Sequence, residues 1–193
     1  MSDIIESFAA LPAASVRQAL VRLGLGGQCT GLKAVDPAAP RLCGRAFTVQ
    51  YLPCSPGNDR TPEGEIGDYL QDVPEGYVVA VDNRGYLDRA VWDQLLSRNA
   101  LQRRLGGTVI DGVCLEEARR DEPRYPLFTR GQSTRSAVDL VRAEAYNVPV
   151  DIGGAAVEAD DVILGDADGL LVIPRGRTKL VLDTVRSLAA SKK

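Results

Sequence analysis

The chain has 193 residues, 45% of them apolar and 25% charged, enough for one well-buried core. A net charge of -3 with Lys and Arg scattered along the chain leaves no electrostatic footprint for nucleic acid, and apolar runs of only strand length are too short for a spanning helix, so no membrane partner is expected. No histidine is present, which removes imidazole acid–base catalysis, Ser-His-Asp and Cys-His nucleophiles and His-based zinc sites.

The opening MSDIIESFAALP carries acids where a secretory signal needs a basic region, so a cytoplasmic protein is expected. Ile4, Ile5, Phe8 and Leu11, then Val16, Leu20 and Leu23, have helical spacing broken around Pro12, and "LGLGG" ends the pattern, giving two short helices within 3–23. "RAFTVQYL" (45–52) alternates like a strand and leads into the loop "PCSPGND". A polar helix is expected near 63–72. "GYVVAVDN" (76–83) is a continuous apolar run, as in a strand buried on both faces. Ala90, Val91, Leu95, Leu96 and Leu101 share one helical face over 89–104, and a strand follows at 108–114, with Asp111-Gly112 inside it reading as a turn. Strand, helix and strand in that order predict a parallel, right-handed βαβ unit. A short helix near 116–122, a strand entering at "PLFTRG", short strands joined by Gly and Asp turns, and a closing helix over 177–190 complete an α/β chain read as one domain, 1–193.

Several candidate sites have plain explanations. "GDADG" (165–169) lacks the spacing of a calcium loop and reads as a tight turn. "LGLGGQ" follows a helix and fails the dinucleotide pattern. Cys29, Cys43, Cys54 and Cys114 lack C-x-x-C spacing, and Cys114 has no His to activate it, so reduced, packed thiols are expected. Glu116 and Glu117 stand where an apolar strand ends. They suit the start of a helix, whose dipole favours acids. They also stand where open sheets place ligands. Asp93 and Gln94 raise the weight of a site, because the first turn of a helix after a buried strand exposes N–H groups that bind carboxylates. Without histidine, a metal here would be held by oxygen, which points to Mg²⁺ or Mn²⁺.

"RAVWDQLLSRNALQRRLGGTVIDGVCLEEARRDEPRYPLFTRG", with "PGND" upstream and "DVILGDADGLLVIP" downstream, resembles the family of the regulators of ribonuclease E activity and the 4-hydroxy-4-methyl-2-oxoglutarate aldolases. The resemblance runs from about residue 13 to 175. It implies a β/β/α swivelling-domain-like fold, a homotrimer or homohexamer with sites between subunits and, in the aldolase branch, a divalent metal that stabilises the enolate of a 2-oxo acid. That branch has an acid at the helix start and, further on, an Arg-Asp pair, in which Arg holds substrate and Asp the metal. Counted without gaps, these positions fall on Gln94, Leu115 and Glu116. Glu116 keeps a carboxylate one methylene longer and is the candidate catalytic and metal-binding residue. Gln94, Leu95 and Leu96 would bind a small carboxylic-acid substrate through their amides. Leu115 removes the guanidinium clamp, which no aliphatic side chain replaces; Arg130 or Arg135, or else Arg89 or Arg98, are the cations that could replace it.

Two functions follow from the resemblance. One is a metal-dependent lyase of changed specificity, cleaving, decarboxylating or enolising a small carboxylic acid. The other is a non-catalytic oligomeric binding protein like the ribonuclease regulators, favoured by loss of the acid, Arg, Asp set. The methyltransferase label carried by some members has no supporting motif here.

Overall fold

A computed structural model describes residues 2–39, 41–54, 66–116 and 124–191. Helices α1 (Ser2–Ala9) and α2 (Ala13–Arg22) meet at Pro12, the N-cap of α2, as the spacing predicts. Eleven strands follow among the described residues: β1 (Gln28–Cys29), β2 (Lys33–Ala34), β3 (Leu42–Pro53), β4 (Val78–Asp82), β5 (Gly107–Leu115), β6 (Leu127–Ser133), β7 (Val141–Tyr146), β8 (Val150–Ile152), β9 (Ala155–Val157), β10 (Val162–Asp166) and β11 (Gly169–Ile173). Helix α3 (Gln94–Gln102) connects β4 to β5, and α4 (Thr178–Ala190) closes the chain.

Nine strands form one mixed sheet in the order β1-β11-β10-β3-β4-β5-β6-β2, with β7 also on β3. The long strand β3 joins its two halves: Leu42–Arg45 pair antiparallel with β10, and Ala46–Gln50 pair parallel with β4. Helices α1, α2 and α4 bury Phe8, Val16, Leu20 and Val181 against β10 and β11. On the other half, Trp92, Tyr125 and Ala100 pack on β3, β4 and β5 on one side, and the β8–β9 hairpin buries Val150, Ile152 and Val157 on the other. With both faces covered, the central parallel strands have to be apolar almost throughout.

The βαβ unit forms as expected. β4 and β5 are adjacent and parallel, from Val78 opposite Gly107 to Asp82 opposite Asp111, and α3 is their connection. Three local expectations change. The helix over 89–104 starts only at Gln94, because Ala90 is claimed by backbone pairing with Val113 and Ser136. Asp111-Gly112 is not a turn: β5 runs through it to Leu115, and the register against β6 shifts between Ile110 and Val113, one extra residue on β5, a bulge. The helix near 63–72 is a short 3-10 segment at Asp68–Asp72, with 63–65 outside the described residues. The expected 116–122 helix and the "PGND" loop also lie outside them, apart from Glu116 itself.

"GDADG" is the turn between β10 and β11, with Asp166 opposite Gly169. Asp166 does more than turn the chain, since its Oδ2 accepts the Ala13 N–H at 2.8 Å and so caps α2 from a distant strand.

Candidate functional site

β5 changes its neighbour near the bulge, where β4 ends. Up to Asp111, β5 lies along β4. Beyond Gly112 it lies along the extended segment Ala90–Trp92, with the Val91 N–H donating to Val113 O at 3.3 Å and the Leu115 N–H donating to Trp92 O at 2.8 Å. Trp92 is fixed beneath: its indole N–H donates to Ser97 Oγ at 2.9 Å and its ring stacks on Tyr125. One residue after Trp92, Asp93 caps α3; one residue after Leu115 stands Glu116. Neighbouring backbone segments in such pairing are ~4.8 Å apart, so the end of β5 lies beside the residues that lead into α3. Glu116 is exposed there and Leu115 half-buried.

Leu95, in the first turn of α3, is 70% exposed. Of the three amides expected to take a substrate carboxylate, that of Leu96 is already engaged: Asp93 Oδ1 accepts its N–H at 2.8 Å, an ordinary helix cap. An Asp at this position is a routine capping signal, although the apolar spacing over 89–104 puts Asp93 inside the helix.

The candidate cations are dispersed. Arg130 is not beside Leu115 but across the strand from Asp111, its Nε and Nη2 on the two carboxylate oxygens, the latter at 3.1 Å. Asp111 is nearly buried and also accepts the Gly153 N–H at 2.8 Å, so this guanidinium is already committed. Arg135 is exposed; its carbonyl accepts the Ala90 N–H and its guanidinium lies 4.0 Å from Asp88. Arg89 grips Asp88 with two bonds of 2.9 and 3.0 Å and stacks over Tyr86. That Arg89 hydrogen bond holds the Asp88 carboxyl below its ordinary range. Arg98 lies exposed on α3.

Cysteine chemistry is disfavoured by burial. The Cys114 thiol is pushed up to about 11 and that of Cys29 to about 12, so both stay protonated near neutrality. Among the described residues no group of three or more Cys, Asp or Glu side chains is arranged to hold a metal. A Mg²⁺ or Mn²⁺ ion that keeps most of its waters needs only one or two carboxylates; Glu116 is the exposed carboxylate at the end of β5.

Asp82 ends β4 opposite Asp111, and burial, with the charges of Asp111 and Asp151, raises its pKa. A carboxyl raised on folding is penalised only while it is ionised: the penalty is absent below the unfolded pKa and sets in as pH rises through the folded one. Asn at this position can still accept the Arg84 N–H that Asp82 Oδ1 accepts at 2.8 Å. Asp82→Asn is therefore expected to raise the melting temperature at pH 7 by roughly 1–3 °C, a modest gain because the group is half exposed and screened, and to give no gain near pH 3. Thermal melts at the two pH values check this.

The model of the RraA-like family, described as Aldolase/RraA, matches residues 4–172. The chain belongs to that family. It is 27% identical over 188 residues to a "Putative 4-hydroxy-4-methyl-2-oxoglutarate aldolase" of Halalkalibacterium halodurans, covering 97% of this chain and 84% of that one. It is also 29% identical over 185 residues to the protein DlpA of Legionella pneumophila, covering 95% of this chain but only 29% of DlpA. The crystal structure of an uncharacterized protein from Pseudomonas syringae pv. tomato superposes with a TM-score of 0.86 at 30% identity, over 100% of this chain and 89% of that one. The α/β architecture built on the β4–α3–β5 unit is that of the family. No helix among the described residues is long and apolar enough to cross a membrane.

Proposed function

We propose that the protein is a divalent-metal-assisted lyase acting on a small 2-oxo or hydroxy carboxylic acid, with a specificity changed from that of the aldolases it resembles. The observation that carries this reading is the 2.8 Å bond from the Leu115 N–H to Trp92 O, which lays the end of β5, with Glu116, against the start of α3. Glu116 would hold Mg²⁺ or Mn²⁺, largely through waters. The metal, when bound, supplies Lewis-acid stabilisation of an enolate. The Leu95 amide, in the first turn of α3, would orient the substrate carboxylate, and Leu115 with the exposed Leu95 would give the site an apolar side where the aldolase branch has a guanidinium. The sheet runs through both halves of the chain, which supports treating it as one unit, and the exposed Leu87, Leu95 and Val138 suit burial in a homotrimer or homohexamer.

A second reading, a non-catalytic oligomeric binding protein, is favoured by one specific contact: Asp93 occupies the Leu96 amide with the protein's own carboxylate. The two separate in an assay of pyruvate or carbon dioxide release from a panel of 2-oxo and 4-hydroxy-2-oxo acids, with Mn²⁺ and with excess chelator. The lyase reading expects at least one acid to be turned over only in the presence of metal. Inertness across the panel supports the binding protein.

A further inference from the structure

The bulge at Asp111-Gly112 is held from both faces of the sheet. On one, Arg130 takes both oxygens of Asp111, and the same carboxylate accepts the Gly153 N–H from the turn between β8 and β9. The Asp111 carbonyl meanwhile accepts the Gly85 N–H at 2.9 Å. On the other face Asn83 sits over Gly112, where an added Cβ would stand 2.8 Å from Asn83 Nδ2. That same Nδ2 donates to Arg89 O at 3.1 Å, tying the bulge to the residue before Ala90. Ala90 is the residue that pairs with Val113, where β5 has left β4.

We propose that the Asp111–Arg130 pair, with Asn83 opposite, is the positioning device of the site. It fixes the one extra residue in β5 that transfers the strand from β4 to Ala90–Trp92 and delivers Leu115 and Glu116 to the mouth of α3. A strand that loses a one-residue bulge has every later side chain exchanged between faces. Removing the bulge would thus slip the strand end by one residue, bringing Cys114 to the place of Leu115 and Leu115 to that of Glu116. The pair touches no reacting atom and acts through the register. Its consequence for chemistry rests on the lyase reading; its consequence for the backbone does not.

The test is amide hydrogen exchange followed residue by residue in the full chain, in wild type, Arg130→Met, Arg130→Lys and Gly112→Ala. The Leu115 and Val91 amides report the transferred strand end, and the amides of residues 78–82 report the ladder before the bulge. Arg130→Met is expected to speed exchange at Leu115 and Val91 by at least about tenfold more than in β4. Arg130→Lys, which keeps the charge but not the fork, should recover part of the protection. Gly112→Ala, acting from the Asn83 side, should give the same local pattern and serves if the Arg130 variants do not fold. In a wild type that binds Mn²⁺, affinity should fall in parallel with the Leu115 protection. A wild type that binds none counts against the lyase reading, and the exchange rates still decide the positioning role. Equal acceleration everywhere, or unchanged exchange at Leu115, overturns it.

Discussion

Arg130→Met is expected to destabilise the protein by ~3 kcal/mol, at the lower end of what breaking a buried ion pair costs because Arg130 keeps partial access to water. For a chain of this size that is a fall in melting temperature of roughly 6–12 °C. The loss comes less from the missing attraction than from what is left: Asp111, only 6% exposed at its side chain, retains among the described residues a single N–H, from Gly153, for its negative charge. The double variant Asp111→Asn/Arg130→Met should recover part of the loss, since it removes the orphaned charge along with its partner. Denaturant titrations of the three proteins measure this. A single-variant loss below ~1 kcal/mol would put the pair with ordinary surface ion pairs.

Leu115→Arg is expected to raise metal-dependent cleavage of 4-hydroxy-4-methyl-2-oxoglutarate by at least ~30-fold in kcat/KM over a weak or absent wild-type activity, because an aliphatic side chain in place of a cation that pairs with a substrate carboxylate costs ~2–5 kcal/mol. Leu115 stands at the end of β5 with its amide tied to Trp92, so an Arg there would start from a fixed backbone beside Glu116. Pyruvate release with Mn²⁺ reads the change. Full activity in the wild type would show that another group, Arg135 being the candidate beside this segment, already holds the substrate.

Much of the architecture is legible in the sequence because it depends on local pattern. The continuous apolar run at Val78–Val81 and its partner at Thr108–Ile110 have the pattern of strands buried on both faces, and Pro12 breaks the first helical pattern where α1 and α2 meet. What is not legible depends on partners distant in sequence. Ala90 and Val91 fit the apolar face of the following helix, and only Val113 and Ser136 make them extended. Asp-Gly is turn chemistry in isolation, and becomes a bulge when Arg130, nineteen residues on, and Asn83 grip it from opposite faces. A charge inside the run "TVIDGVCL", with another inside the neighbouring "LFTRG", is the available signal: two ionised groups on buried strands require each other. At the site, the position of Glu116 and of the α3 start, each after a strand, anticipates their juxtaposition. The Asp93 cap is not legible in the same way, because a carboxylate at a helix start supports a cap and a ligand site equally well until the group it accepts from is seen.

The measurement that bears most directly on function is a calorimetric titration of Mn²⁺ and Mg²⁺ into wild type and Glu116→Gln, with thermal melts alongside. A metal site at the end of β5 predicts binding by the wild type that is lost in the variant, with the fold retained and activity on the true substrate abolished. A helix-start acid predicts a loss of no more than ~0.3–1 kcal/mol in stability and nothing else. Equal, negligible binding by both proteins would contradict the metal-dependent lyase.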